Sequence, residues 1–339
     1  MARRKSKKKS SNKLLKTVIL LALFIGLWFI YQQPAVQKRI NEVLHPHKPA
    51  PTAVQTVPEP EVTQPKSQQG VLPPPEPVVT PPSTKNVTYT VKNPQFDNLS
   101  YGVPGKADSI VEREGYALGY IEKHEQPAWV QYIMTSEEVS RRAAKRGDDF
   151  RPDPDVPTGS ATPQDYTRSG YDRGHLAPAA DMSFSVKTMS ESFFMSNMSP
   201  QTPELNRGVW KDLEAQVRDW VKTFGRAYVV SGPVLNKKAG EFNSIGENQV
   251  AIPEYYYKVV LVPLYEDEAD RKSMDDAKAV MAIGFVIPNQ GCEDNFWRYA
   301  VPVDEVEVLT NLDFFAILED AEEDKIEAEA NPSKWENTY

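Results

Sequence analysis

Residues 46–82 have the composition that most limits how this chain can fold. The segment contains twelve of the 29 prolines and no aromatic residue. Such a segment cannot bury a core, and its prolines favour an extended, polyproline-like backbone. At ~3.1 Å per residue it spans up to ~110 Å. We therefore predict a Pro-rich linker over residues 32–85, with a ligand for a proline-binding module as the alternative.

A basic segment and an apolar segment precede the linker. The first sixteen residues include eight lysines and arginines and no acid, and residues 17–31 are uncharged and mostly apolar. Fifteen helical residues rise only ~22 Å, but the two leucines before Lys16 lengthen the span if Lys16 extends towards the basic side. Because no small-residue cleavage site follows Tyr31, we predict an uncleaved signal anchor, a single transmembrane helix with a cytoplasmic basic flank. The rest of the chain is then extracytoplasmic, on the periplasmic side in a bacterium; a cleaved signal peptide is the alternative.

Strand and helix patterns follow the linker. Segments rich in β-branched and aromatic residues, bounded by Gly, Pro or Asn, predict sheet strands at residues 128–133, 227–231, 255–262, 282–287 and 299–303. Residues 136–144 predict a short amphipathic or turn segment, and residues 304–318 predict the closing helices. Together these patterns predict one folded domain of strands and helices over residues 86–318.

One helix is predicted to begin close to Asn206. Apolar residues recur at spacings of three and four and indicate a buried stripe formed by Val209, Leu213, Val217, Trp220 and Phe224. Asn206, Glu214 and Arg218 lie one residue out of phase with that stripe, at its solvent edge. Such a helix can be held in the core while it presents polar groups to a cleft. Taken alone, Glu214 and Arg218 are an ordinary i,i+4 surface pair.

The run from Asp172 to His175 is the strongest candidate for chemistry. Two of the four histidines lie in the Pro-rich segment, so only His124 and His175 can belong to a folded core. A neutral imidazole accepts a proton near neutral pH. Arg173 and His175 point to the same side of a strand, which places a cation beside a base, and Gly174 lets a phosphate approach. This pair suits an anionic substrate attacked by water, and a structural histidine is the alternative.

Ordered motifs at matching spacing give this chain a resemblance to a known family. They are the DRGH run at residues 172–175, the SNMSPQ run at 196–201, and the LNRGVW run at 205–210 with the following Glu214 and Arg218; weaker matches lie near Arg151 and at 310–315. The chain resembles the DNA/RNA non-specific endonucleases of the ββα-metal class, the family of endonuclease G. The resemblance spans roughly residues 95–318. It implies an α+β, ββα-metal (His-Me finger) nuclease domain with a central antiparallel sheet flanked by helices.

The resemblance also assigns roles to residues. His175 matches the general base and Asn206 the sole protein ligand of one divalent metal. Glu214 matches a residue that orients the water around that metal. Arg173 and Arg218 match arginines that contact phosphate; Arg151 is a less certain match, and Asn197 matches a site asparagine that can also serve to hold its loop. We expect Asp172 to brace the strand. The implied reaction is hydrolysis of phosphodiester bonds in DNA and RNA, leaving 5′-phosphate ends.

One neutral amide ligand suits Mg²⁺, with Mn²⁺ expected to substitute, because Mg²⁺ keeps most of its water shell. No histidine or cysteine cluster is present to favour zinc. Cys292 is the only cysteine, which excludes an intrachain disulfide, and no signature around it supports thiolate catalysis. Besides DNA and RNA, the partners to consider are the membrane, a second copy of the chain in a homodimer, and an inhibitor protein.

The charge distribution bears on how nucleic acid is bound. The net charge is −8, and the remainder carries about −10 once the basic first sixteen residues and the acidic residues 319–339 are set aside. This argues against a broad basic surface along a phosphate backbone but allows a local site. We expect weak, salt-sensitive binding, and we predict a solvated acidic tail over residues 319–339. The alternatives to an enzyme are a catalytically weak, membrane-tethered nucleic-acid-binding or uptake module, and a tethered structural scaffold.

Overall fold

A seven-stranded antiparallel sheet forms the centre of the fold, in the order β1-β2-β3-β6-β9-β10-β11. Its strands are β1 (Ser109–Glu112), β2 (Ala117–Ile121), β3 (Gln126–Thr135), β6 (Arg226–Pro233), β9 (Tyr255–Leu264), β10 (Ala279–Pro288) and β11 (Ala300–Val301). Two small antiparallel pairs accompany it: β4 (Asp172–His175) with β5 (Met198–Gln201), and β7 (Ser244–Ile245) with β8 (Val250–Ala251). The prediction of a mixed α+β domain with an antiparallel sheet is confirmed.

This computed structural model describes residues 88–238, 240–265, 277–291 and 295–336. The predicted basic flank, signal anchor and Pro-rich linker lie outside the described residues, as does Cys292. Among the residues described, no helix has both the length and the apolar character needed to cross a membrane.

Helices cover the two faces of the sheet. They are α1 (Ser136–Ser140), α2 (Val186–Glu191), α3 (Pro203–Arg207), α4 (Val209–Phe224), α5 (Val303–Thr310), α6 (Asp320–Glu327) and α7 (Pro332–Glu336). One core cluster joins the stripe of α4 to residues such as Val229 and Val260, and another joins α5 and α6 to Val230 and Val259. Because neighbouring residues of a strand point to opposite faces, β6 and β9 are mostly apolar and buried on both sides, with Arg226, Ser231 and Lys258 as the polar exceptions.

The predicted buried stripe of the long helix is confirmed, since all five of its residues are buried in α4. The helix does not begin at Asn206, however. Gly208 separates α3 from α4, and a Cβ at this position would lie 2.5 Å from the Glu204 carbonyl oxygen. Thr202 caps α3 by accepting from the Leu205 N–H at 3.3 Å, so Asn206 sits on a short helix of its own.

The carboxyl-terminal part differs from the sequence expectation. Residues 299–303 do not form one strand: β11 has only two residues, and Val303 already begins α5. The predicted solvated tail instead forms α6 and α7 over most of its length. Trp335 is 1% exposed and its ring centroid lies 4.6 Å from that of Trp220 on α4. The acidic composition of residues 319–339 gave no indication that Trp335 would be buried. Its burial against α4 holds this segment on the domain.

Candidate active site

The β4–β5 pair places His175 and Arg173 beside α3. His175 is paired with Met198 and Arg173 with Pro200. A Cβ at Gly174 would overlap the side chain of Gln201, so the two strands can approach this closely only with glycine here. The strand conformation predicted for the DRGH run is confirmed, and α3 follows β5 directly with Asn206.

His175 lies in an aromatic pocket. It is 8% exposed, and its ring centroid lies 5.7 Å from that of Phe150 and 5.1 Å from that of Phe193. Its Nε2 is buried without a hydrogen-bond partner among the described residues. Burial, and then the charges of Arg146 and Arg173, lower the pKa of His175 to about 3. The imidazole is therefore neutral at physiological pH, with one nitrogen available.

Two cations flank this imidazole. The guanidinium carbon of Arg173 lies 4.0 Å from the centroid of Phe150, the same ring that contacts His175, so both side chains occupy one side of β4 as expected. Arg146 is exposed, and its guanidinium carbon lies 5.5 Å from the ring centroid of Phe193. Among the described residues neither arginine forms an ion pair. Both are therefore available to an anion.

Asn206 presents its side-chain oxygen to a cleft, where it can act as a metal ligand. Its Nδ2 donates to Asp172 Oδ2 at 2.9 Å, and Arg207 donates to the same carboxylate at 2.8 and 2.6 Å. Burial opposes the ionisation of Asp172, but the hydrogen bonds from Arg207 and Asn206 prevail and lower its pKa. Asn206 Oδ1 accepts no hydrogen bond from a described residue, and the cleft is lined by Phe150, Asp172, Arg173 and Asn206 among others. A lone amide oxygen in a polar cleft fits a hydrated divalent cation.

Glu214 lies beside a buried lysine. Lys258 on β9 is 0% exposed; its Nζ donates to Ser231 Oγ at 2.5 Å and lies 4.5 Å from the centroid of Trp210. Trp210 and Glu214 are one helical turn apart on α4. Burial raises the pKa of Glu214, and the positive charge of Lys258 opposes that rise. Ionisation of Glu214 near neutral pH thus depends on the positive charge of Lys258.

Arg218 is held by a partner other than Glu214. Its Nη1 donates to Asp181 Oδ1 at 2.8 Å, and Tyr132 donates its hydroxyl to Asp181 Oδ2 at 2.8 Å. Asp181 is 2% exposed, whereas the Arg218 side chain is 22% exposed. The simple surface pair of Glu214 with Arg218 is therefore not what the structure shows. Asp181 fixes Arg218 and leaves part of its guanidinium towards solvent.

Arg151 and Asn197 lie in supporting positions. Arg151 donates to Asp149, to the Ser190 carbonyl oxygen and to Ser190 Oγ, and it stacks 4.0 Å from the centroid of Phe194. Asn197 is 0% exposed; its Oδ1 accepts from the Ala177 N–H, and its Nδ2 donates to two carbonyl oxygens. These contacts hold the loop that follows His175. The structure does not bring either residue to the cleft.

His124 is not a surface residue. It is 1% exposed, its ring packs edge-on against Phe242 at 5.3 Å, and burial lowers its pKa to about 4. Replacing His124 with a smaller residue would therefore leave a cavity in the core.

Three residues of this region were absent from the sequence prediction: Arg146, Asp181 and Lys258. Lys258 carried a usable signal, because a single cation in the middle of an apolar β-branched strand must be buried and therefore paired. Arg146 belongs to a basic run at residues 141–146, which composition alone does not connect to His175. Asp181 carried no signal, since its contacts with Tyr132 and Arg218 span 49 and 37 residues of sequence.

Comparison with known proteins agrees with this geometry. The family model described as "DNA/RNA non-specific endonuclease" matches residues 94–321. The mitochondrial nuclease EXOG of Danio rerio is 34% identical over 229 residues, covering 65% of this chain and 64% of that protein. Nuclease C1 of Cunninghamella echinulata is 33% identical, covering 64% of this chain and 86% of that protein. The matched part of this chain spans 56–64% of the length of its EXOG relatives.

One solved structure is similar in fold. A chain in the crystal structure of the EndoG/EndoGI complex, described as showing the mechanism of EndoG inhibition, has a TM-score of 0.59 and 32% identity, covering 67% of this chain and 93% of that chain. The residues matched by the family model include β4, β5, α3 and α4, the elements that carry His175 and Asn206. The chain belongs to the DNA/RNA non-specific endonuclease family, a family of metal-dependent nucleases.

Proposed function

We propose that this chain is an Mg²⁺-dependent, sugar-non-specific endonuclease with a ββα-metal site, which hydrolyses phosphodiester bonds in DNA and RNA and leaves 5′-phosphate ends. The observation that carries the proposal is that two polar atoms of the site have no hydrogen-bond partner among the described residues. The Nε2 of neutral His175 and the Oδ1 of Asn206 have no partner among the described residues. A binding module needs neither a buried free base nor an oriented amide oxygen.

In this proposal His175 is the general base. It takes a proton from water as the water attacks phosphorus, which is typically worth roughly 10²–10⁴-fold in rate. Burial and the nearby cations make it a weak base in the free protein. A phosphodiester bound at Arg146 and Arg173 offsets those two charges and raises the pKa of His175. Substrate binding thus strengthens the base at the moment it is needed.

The remaining groups bind and orient. Arg173, which stacks on Phe150 and forms no ion pair with a described residue, holds the phosphate, and Arg218 contributes from its exposed side. Asn206 would hold the cation, which would neutralise phosphate charge and stabilise the leaving 3′ oxygen. Glu214, whose pKa is raised by burial and lowered by the charge of Lys258, orients water around the site in its ionised form. Asn197 and Arg151 maintain the loop and the aromatic wall behind His175.

Replacement of Asn206 tests the metal assignment. We expect Asn206→Ala to lower plasmid cleavage in Mg²⁺, with partial recovery at high Mg²⁺ or in Mn²⁺, because one protein ligand is lost from a shell dominated by water. The matched control is Lys211→Ala, an exposed position on α4. Unchanged metal dependence in Asn206→Ala would contradict the assignment. Cleavage by the wild type in excess chelator would contradict metal dependence altogether.

We further propose that residues 17–31 anchor the enzyme in a membrane with the nuclease domain outside the cytoplasm. The support is the basic flank of eight cations and the apolar, uncharged segment that follows it. In this proposal the Pro-rich linker allows the nuclease domain to act at a distance from the membrane surface.

A further inference from the structure

Two helices at the carboxyl-terminal end bring three carboxylates together away from the cleft residues. Asp304 and Glu307 lie three residues apart on α5, and Glu327 is the last residue of α6. One carboxylate oxygen from each lies within 4.8 Å of the other two. Glu307 and Glu327 are 6% and 4% exposed, while Asp304 is partly exposed. The α5 pair and the α6 residue therefore meet at a mostly buried place, with Asp304 the most exposed of the three.

Nothing described around these carboxylates neutralises them. Glu307 Oε1 accepts the Phe314 N–H at 2.7 Å. No lysine, arginine or histidine of the described ranges forms an ion pair with any of the three. Glu327 adds an independent sign of a missing partner: its buried Oε1 has no hydrogen bond with any described residue, although a carboxylate oxygen of Glu327 lies close to the pair on α5. Unpaired buried carboxylates are strongly unfavourable, so the cluster requires either bound protons or a cation.

The types of ligand indicate which cation fits. Ca²⁺ accepts several carboxylate oxygens, whereas Mg²⁺ keeps several waters and is usually held by one or two carboxylates. The group contains three carboxylates and, among the described residues, no sulfur or imidazole ligand, so it fits Ca²⁺ better than Mg²⁺. We propose that Asp304, Glu307 and Glu327 bind one Ca²⁺, which ties α5 to α6.

This site does not rest on the proposed catalytic role, and its test is a binding measurement. Full-length chain is stripped with chelator, and ⁴⁵Ca²⁺ binding is measured by equilibrium dialysis in an Asn206→Ala background, which removes the cleft ligand. We expect one Ca²⁺ per chain. Adding Glu327→Gln should weaken binding at least tenfold, whereas Glu305→Gln, an exposed acid on the same helix, should leave it unchanged.

Thermal unfolding gives a second measurement. At a Ca²⁺ concentration one hundred times Kd, the unfolding midpoint should rise by about 5 °C or more, and the rise should disappear in Glu327→Gln. Glu327→Gln removes a repulsive charge with little change of shape, so it should fold. Absence of saturable Ca²⁺ binding in the Asn206→Ala chain would overturn the proposal, as would equal binding in Glu327→Gln. Equal affinity for Mg²⁺ and Ca²⁺ would overturn the assignment to calcium.

Discussion

Asn206 donates its Nδ2 hydrogen to Asp172 Oδ2 across 2.9 Å, and this bond determines which end of the amide is left for the cleft. Because Nδ2 donates to a carboxylate, Oδ1 is the amide atom that has no partner within the described part of the chain. Asp172 is itself fixed by two hydrogen bonds from Arg207. The first residue of the DRGH run therefore acts on the proposed metal ligand, in addition to bracing its strand.

This relationship predicts the behaviour of Asp172→Asn. The variant loses the charged acceptor, so the Asn206 amide is free to turn, and we expect the Mg²⁺ concentration for half-maximal cleavage to rise about tenfold or more. Arg207→Ala is the control, because it removes the other partner of Asp172 and leaves the Asn206 bond in place. A larger effect from Arg207→Ala than from Asp172→Asn would contradict the role given to this contact.

The buried lysine gives a second prediction. In Lys258→Met the cation that opposes the raised pKa of Glu214 is gone, so Glu214 takes up a proton at neutral pH. We expect kcat at pH 7 to fall by about tenfold and to recover partly towards pH 9, where Glu214 ionises again. Methionine fills a similar volume, so the fold should persist.

The control for this prediction is Lys222→Met, which removes an exposed cation near the end of α4. Loss of activity in Lys258→Met that is the same at pH 7 and pH 9 would indicate a packing role for Lys258 instead of a charge role.

The lowered pKa of His175 predicts a stability profile. The unfolded chain binds a proton at this histidine near pH 6.5, whereas the folded chain does not until about pH 3. The unfolded state thus binds more protons between these values, and the free energy of unfolding falls as the pH decreases through this window. His175→Gln should make the decline shallower. Part of it should remain, because His124 is shifted in the same direction.

Denaturant unfolding at pH 7, 6, 5 and 4 measures this difference. An identical decline in wild type and His175→Gln would mean that His175 is already protonated in the folded protein at these pH values, which excludes it as a neutral base.

The proposed membrane anchor predicts where the protein is found in the cell. The full chain should fractionate with membranes and resist extraction by alkaline carbonate, and its nuclease domain should be digested only by protease added on the non-cytoplasmic side. A soluble mature protein that begins shortly after Tyr31 would show cleavage of the segment instead. Nuclease activity protected in the cytoplasm would contradict the topology.

The sequence predicted those parts of the fold and site that depend on local pattern. The stripe of α4, the long strands β3, β6, β9 and β10, and the juxtaposition of Arg173 with His175 follow from periods of 3.6 and two. It did not predict contacts between distant segments, such as Arg218 with Asp181 or Trp335 with Trp220. Such contacts depend on how elements pack, and no local period encodes them. The prediction of a solvated tail at residues 319–339 was wrong for the same reason. It was based on acidic composition, whereas the segment is held by the packing of one tryptophan against a distant helix.

The most direct test of the central claim is cleavage of supercoiled plasmid and of single-stranded RNA by the full chain in Mg²⁺, with and without chelator, compared with His175→Ala. We predict degradation of both substrates by the wild type, abolished by chelator, and a turnover at least ~10²-fold lower in His175→Ala with nucleic-acid binding little changed. Near-normal cleavage by His175→Ala would contradict the mechanism. Binding without cleavage by the wild type would show that this fold serves here as a nucleic-acid-binding module.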